Sequence, residues 1–196
     1  MTYIGIIITF VFINNFILTQ FLGLCPFIGV SKNLESAVGM GFAVTFVMSL
    51  ASLITWAVNL LLVKLHIEFL QIVTFILVIA ALVQLVEMVI QKISPPLYTA
   101  LGIYLPLITT NCAVMGIALI AVRSEYNALE SLVAGFAGGL GFLLVLVLMS
   151  SIRETMNRIN IPKALRGVPI AFISGGLMAL AFMAFDKALL KNLFPG

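Results

Sequence analysis

Gly23-Leu24-Cys25-Pro26-Phe27-Ile28-Gly29 and Thr109-Thr110-Asn111-Cys112-Ala113-Val114-Met115-Gly116 hold the only two cysteines of the chain, and each places a glycine four residues after its cysteine. Each stretch interrupts a long apolar run. A membrane helix that is broken beside a thiol does more than anchor. The two stretches therefore read as two halves of one site, and the rest of the chain is the test of that reading.

The 196 residues are 63% hydrophobic and only 9% charged, with a mean hydropathy of +1.26. A soluble domain is about half apolar and about a quarter charged, so the expected solvent is lipid. The net charge of +3 is spread along the chain. No basic arm suggests nucleic acid, and the excess is read instead as an orientation signal. The first apolar run has neither a basic flank nor an Ala-x-Ala site, so it is expected to be a retained span. Two cysteines are too few for a disulfide scaffold.

Six spans of adequate length follow, roughly Tyr3 to Leu24, Ser36 to Val63, Phe69 to Val89, Tyr98 to Val122, Leu129 to Ser151 and Val168 to Leu189. Unpaired backbone groups are intolerable in lipid, so the spans are helices. The connections are short and polar and hide no soluble domain. Lys32, Lys92, Arg153, Arg158, Lys163 and Arg166 fall on one side, against Lys64, Arg123, Lys187 and Lys191 on the other. This bias puts the Arg153–Arg166 loop in the cytoplasm and both termini outside.

An internal repeat runs through the chain. After the first cysteine stretch comes Asn33-Leu34-Glu35-Ser36, and after the second Asn127-Ala128-Leu129-Glu130-Ser131. Each Leu-Glu-Ser opens a glycine-rich helix, with Gly39 and Gly41 in one and Gly135, Gly138, Gly139 and Gly141 in the other. Small residues permit close helix contact in lipid. Three spans per repeat is an odd number, so the second half enters from the opposite face. Sites in such architectures lie near the midplane, where discontinuous helices meet. The expected fold is thus an all-α integral membrane protein. It has six transmembrane helices in two inverted three-helix repeats, about 1–94 and 95–196 of one membrane domain, with broken helices at the cysteine motifs.

The thiols admit three chemistries. They are small apolar residues, or a disulfide pair whose separation the sequence does not set, or soft ligands of a redox metal centre. For the third, a broken helix frees N–H groups toward cluster sulfurs. Gly23, Gly29 and Gly116 let the backbone approach, Pro26 removes a donor and ends a helix locally, and Pro106 precedes the second break. Thr109, Thr110 and Asn111 satisfy freed backbone groups or bond to the centre. A cluster wants four thiolates, and this chain has two, so the remainder must come from another polypeptide.

At this point the residues resemble a known family. Phe21-Leu22-Gly23-Leu24-Cys25-Pro26-Phe27 with Gly29-Val30-Ser31-Lys32, and Leu101-Gly102-Ile103-Tyr104-Leu105-Pro106-Leu107-Ile108-Thr109-Thr110-Asn111-Cys112-Ala113-Val114, are similar to the two cysteine motifs of the RnfA/NqrE family. Asn14-Asn15, Ile152-Arg153-Glu154 and Ile173-Ser174-Gly175-Gly176-Leu177-Met178-Ala179-Leu180 also fit. The Cys-Pro-Phe version is closer to the Rnf branch than to the quinone-reductase branch. The resemblance implies a prokaryotic cell-membrane complex passing electrons between ferredoxin and NAD⁺, coupled to Na⁺ or H⁺ movement. It implies a [2Fe-2S] cluster shared with a homologous inverted partner, the E subunit of Rnf, with Cys25 and Cys112 as this chain's ligands. It further implies the B, C, D and G subunits of Rnf as neighbours, and no complete active site in this chain.

The competing readings are the homologous member of the Na⁺-translocating quinone reductase and a small inverted-repeat transporter. Other polar residues carry weaker expectations. Glu87, with Gln84 and Gln91, is an interfacial residue or part of a cation path. Asn14, Asn15 and Gln20 are read mainly as inter-helix hydrogen-bonders. His66 is solvated beside Glu68, Arg153-Glu154 is a helix-end ion pair or inter-protein contact, and Trp56, Tyr3, Tyr98 and Tyr104 are anchors or packing.

Overall fold

A computed structural model describes residues 3–93, 107–108, 111–159, 162 and 165–193. The expectations for Thr109, Thr110, Tyr98, Tyr104, Pro106 and the start of the fourth span lie outside the described residues. Those described are helical, with no strand among them. In chain order the helices are α1 (Tyr3–Ile8), α2 (Phe16–Gln20), α3 (Leu24–Val30), α4 (Leu34–Lys64), α5 (Gln71–Ile93), α6 (Cys112–Arg123), α7 (Ala128–Asn157) and α8 (Val168–Leu193). Among the described residues, three stretches are long and apolar enough to cross a bilayer: Leu34–Lys64, Gln71–Val89 and Ala128–Asn157. Tyr3–Ile13, Cys112–Arg123 and Val168–Met183 are shorter apolar helices.

The first apolar run is not one helix. After α1 the chain widens into a π-turn over Thr9–Ile13, with the Asn14 N–H donating to the Thr9 carbonyl five residues back at 2.6 Å. The helix then breaks at Asn14-Asn15, restarts as α2, and breaks again at Phe21 and Gly23. Both of these have left-handed backbone, with φ of 55° and 83°. Only then does α3 begin.

Asn15 makes the first break tolerable. Its Oδ1 accepts from the Ile17 N–H at 3.2 Å, capping α2. Its Nδ2 donates to the Val11 carbonyl at 3.2 Å and the Gly141 carbonyl at 3.0 Å. Asn15 is thus the inter-helix hydrogen-bonder expected of it. Asn14 and Gln20 instead bond locally, with the Asn14 Oδ1 accepting from the Thr19 hydroxyl at 3.1 Å and the Gln20 amide at 3.5 Å.

The scaffold is the long pair α4 and α7. Thr45 faces Gly139, Ser49 and Ser52 face Gly135, and Gly41 faces Leu143, so each step forward on α4 is a step back on α7. The two helices run antiparallel. A Cβ on Gly139 would overlap the Thr45 backbone, and one on Gly135 would lie 2.6 Å from the Met48 carbonyl oxygen. Ser52 ties the seam by donating to the Ser131 carbonyl at 2.6 Å. The other glycines of α7 face the first run. Gly138 lies under the Phe16 ring, and Gly141 lies under the Phe10 carbonyl. The start of α7 is capped as its sequence suggests, with the Glu130 carboxylate accepting from the Asn127 N–H at 3.0 Å.

On α5 the buried residues Phe75, Ile79 and Val83 recur every four positions, while Ile72, Val73, Ile76 and Leu77 face outward. That outward face suits lipid tails.

The seam yields a direct test. Gly139→Val forces α4 and α7 apart and is expected to destabilise by about 1–3 kcal/mol, as overpacking does. Gly176→Ala, where a Cβ meets nothing within 4 Å, is the control. Thermal unfolding of detergent-purified protein should show a drop for the first and near-identity for the second; equal midpoints would refute the seam as a stability determinant.

Candidate functional site

Each described cysteine stands in the first turn of a helix. Cys25 follows Leu24 in α3, behind the left-handed N-cap Gly23. Cys112 opens α6, behind the N-cap Asn111. First-turn N–H groups have no intrahelical acceptor, and the N-terminal end carries partial positive charge. Both features suit an anionic group nearby.

Pro26 is placed otherwise than its sequence reading held. It does not end a helix; it sits in the first turn of α3, the one place where a missing N–H costs nothing. It is buried and helps to start the helix that carries Cys25.

The structure brings the two motifs together. A Cβ built on Gly23 would lie 3.0 Å from the Asn111 Oδ1, 3.0 Å from the Phe142 ring and 3.3 Å from the Ala113 Cβ. Gly23 is two residues before Cys25, and Ala113 directly follows Cys112. Gly116 completes the contact, since a Cβ there would lie 2.6 Å from the Leu22 side chain. Gly23 therefore has two independent reasons to be glycine, its φ of 83° and the close approach of the second motif. Gly29 is looser, with Leu107 at 3.8 Å from a built Cβ. Thr110 lies outside the described residues.

Asn111 is the most informative side chain. It is 4% exposed. Its Oδ1 accepts from the Ala113 N–H at 3.0 Å, which fixes which end of the amide is the donor. That donor, Nδ2, is buried and has no hydrogen-bond partner among the described residues. Buried amide donors are almost always paired, so this one marks a place where an acceptor belongs.

Both cysteines, by contrast, are exposed on the surface of the chain, and the disulfide between them is not formed. Beside Cys112 opens a cavity of about 560 Å³, walled by Ile76, Ile79 and Ala80 of α5 and by Met115, Gly116, Leu119 and Ile120 of α6, with Gln20, Asn111 and Arg123 as its polar points. Among the described residues, no three His, Cys, Asp or Glu side chains converge on one point. The described part of this chain thus offers an incomplete set of metal ligands. Two thiols and an orphan buried N–H donor are the chemistry of an iron–sulfur environment, where cysteines ligate and amides bond to sulfur, so the residues fit such a group.

Two residues depart from their sequence readings. Glu154 pairs with Arg158 at 3.1 Å, one turn on, and not with Arg153. Arg153 turns inward, 9% exposed, and donates to the Ile28 carbonyl at 2.7 Å and the Ser31 hydroxyl at 2.9 Å. A signal existed: a glutamate four residues before an arginine is the favoured helical pair, which leaves Arg153 to seek other acceptors. Glu87 is half-buried on α5. His66 is exposed, as expected.

Comparison with known proteins follows the same lines. The family profile described as "Rnf-Nqr subunit, membrane protein" matches residues 3–189. The A subunit of the Na(+)-translocating ferredoxin:NAD(+) oxidoreductase complex of Acetobacterium woodii is 58% identical over 187 residues, covering 95% of this chain and 97% of that one. The A subunit of the ion-translocating oxidoreductase complex of Syntrophotalea carbinolica is 54% identical over 192 residues, covering 97% of each. The protein of the same description from Serratia proteamaculans is 55% identical over 184 residues, covering 93% and 95%.

Gly23→Ala tests the joint between the motifs. It strains a left-handed residue by about 1–2 kcal/mol and pushes on Asn111. Purified protein should lose thermal stability by several degrees, whereas Gly29→Ala should not; a Gly23→Ala variant that melts with the wild type would show that the motifs do not meet as described.

Proposed function

Because the chain belongs to the Rnf-Nqr family of membrane-protein subunits, we propose that it is the A subunit of an ion-translocating ferredoxin:NAD⁺ oxidoreductase complex, holding half of an intramembrane [2Fe-2S] cluster. The observation that carries the cluster reading is the Cys25–Cys112 arrangement. Two helix starts, each bearing an exposed cysteine, meet at Gly23 and Ala113 beside a buried amide donor that has no acceptor among the described residues.

Cys25 and Cys112 are the ligands. Asn111, whose Nδ2 is unpartnered among the described residues, would supply a donor to such a group, and Gly23 and Gly116 let the two motifs' backbones approach one another. Pro26 and the Gly23 cap set the start of α3. A bound [2Fe-2S] cluster supplies a one-electron couple inside the membrane. The exposure of both thiols is what a shared centre requires, because the partner's two cysteines must reach it from outside this chain. That partner is the homologous E subunit in inverted orientation, with the B, C, D and G subunits around the pair. The complex sits in a prokaryotic cell membrane and couples electron transfer to movement of Na⁺ or H⁺.

The finer topology belongs to the same proposal: six spans in two inverted repeats, about 1–94 and 95–196, with both termini outside. Its support is the antiparallel α4–α7 seam, in which the two Leu-Glu-Ser helices pack against one another. The Arg153 bonds to Ile28 and Ser31 add to it, since they set the end of α7 beside the first loop, as odd-numbered loops on one side require.

Iron analysis and EPR of the reduced, purified complex decide the ligand assignment. Cys112→Ala and Cys25→Ser should each remove the [2Fe-2S] signal and reduce electron flow from ferredoxin to NAD⁺ to background while the other subunits still co-purify. An unchanged signal in either variant would sink the assignment.

A further inference from the structure

We propose that Arg153 is a positioning residue for the Cys25 half of the site; this rests on the cluster reading above. Residues 131–152 of α7 carry no charge, and Arg153 follows them with its side chain turned into the protein. Burying a guanidinium in a membrane protein is costly unless its donors are matched. The ion pair recorded among the described residues joins Arg158 to Glu154. Arg153 is matched by neutral oxygens, the Ile28 carbonyl at 2.7 Å and the buried Ser31 hydroxyl at 2.9 Å.

Those oxygens lie at the end of α3. The last carbonyls of a helix have no intrahelical donor and carry partial negative charge, so a cation there is well placed. The position matters because α3 has only seven residues, too few to be stable by itself. It is held along its length. At its start, Gly23 packs on Asn111 and Ala113. In its middle, the buried Phe27 ring lies 3.1 Å from where a Cβ on Gly175 of α8 would be. At its end, Arg153 holds Ile28, three residues beyond Cys25. The Arg153 bonds tie the far end of α3 to the long helix α7, and so set the direction in which Cys25 is presented.

The test compares Arg153→Met, which keeps bulk and removes every donor, with Arg153→Lys, in the assembled complex. The readouts are the EPR line shape and midpoint potential of the [2Fe-2S] signal, iron per complex, and turnover. Arg153→Met should assemble with a shifted potential and an altered, broadened line shape, with turnover reduced about tenfold, as for other residues that orient metal ligands. Arg153→Lys should recover part of each. A purely structural role would lower complex yield and leave line shape and potential as in the wild type, and that result overturns the proposal. If Arg153→Met does not assemble, Ser31→Ala removes one acceptor and is read in the same way: a smaller change in line shape supports the proposal, and an unchanged spectrum at full assembly overturns it. A wild-type complex with no cysteine-dependent [2Fe-2S] signal would instead refute the cluster reading itself, a distinguishable failure.

Discussion

No backbone N–H or carbonyl can be left unpaired within a bilayer, and this membrane-family chain breaks its apolar helices at Asn14-Asn15 and at Phe21–Gly23. Much of the structure exists to repair those breaks. Asn15 and Asn111 do the same local work, each accepting from the N–H two residues ahead, Ile17 in one case and Ala113 in the other. They differ in what the rest of the amide does. The Asn15 Nδ2 is satisfied by the Val11 and Gly141 carbonyls. The Asn111 Nδ2 has no partner among the described residues. One asparagine is fully used by the scaffold, and the other holds a donor in reserve. On the proposed cluster reading, that difference separates a structural break from a functional one.

The repair depends on a rigid platform. α4 and α7 approach so closely that glycine is required at 135 and 139, and the same helix uses Gly138 and Gly141 to receive the broken first run. In lipid there is no hydrophobic drive for helices to associate, so contact of this kind supplies the stability. One helix therefore serves two neighbours with its two small faces. The broken run is short of internal hydrogen bonds and would not hold its shape without that support.

Much of this was legible in the sequence. The Leu-Glu-Ser starts, the glycine-rich helices and the two cysteine motifs are local patterns, and α4, α5, α7 and α8 begin close to where apolar runs and caps place them. What was not legible depends on direction or partnership. The break at the first cysteine motif was expected, but a window of apolar residues gives no sign of the earlier one, because the π-turn over Thr9–Ile13 and the break at Asn14 are made by backbone dihedrals. Pro26 read as a helix end because proline marks either boundary, and only the fold shows which. Arg153 read as half of a helix-end ion pair with Glu154, or as an inter-protein contact, because its acceptors, Ile28 and Ser31, are more than 120 residues away.

The arrangement of the thiols has a consequence for the whole protein. A protein that finished its own metal centre would bury its cysteines and let the surrounding donors converge. Here the supporting groups are buried, Gly23, Asn111 and Gly116 among them, while Cys25 and Cys112 are exposed. The inner layer is thus built before the ligands are covered. On the shared-cluster proposal, preorganisation of this kind keeps the cost of assembly low, because a partner need supply thiols and surface without reshaping this chain. The left-handed backbone at Phe21, a non-glycine residue four before Cys25, is the strained position of this turn, while Gly23 adopts its left-handed conformation without strain.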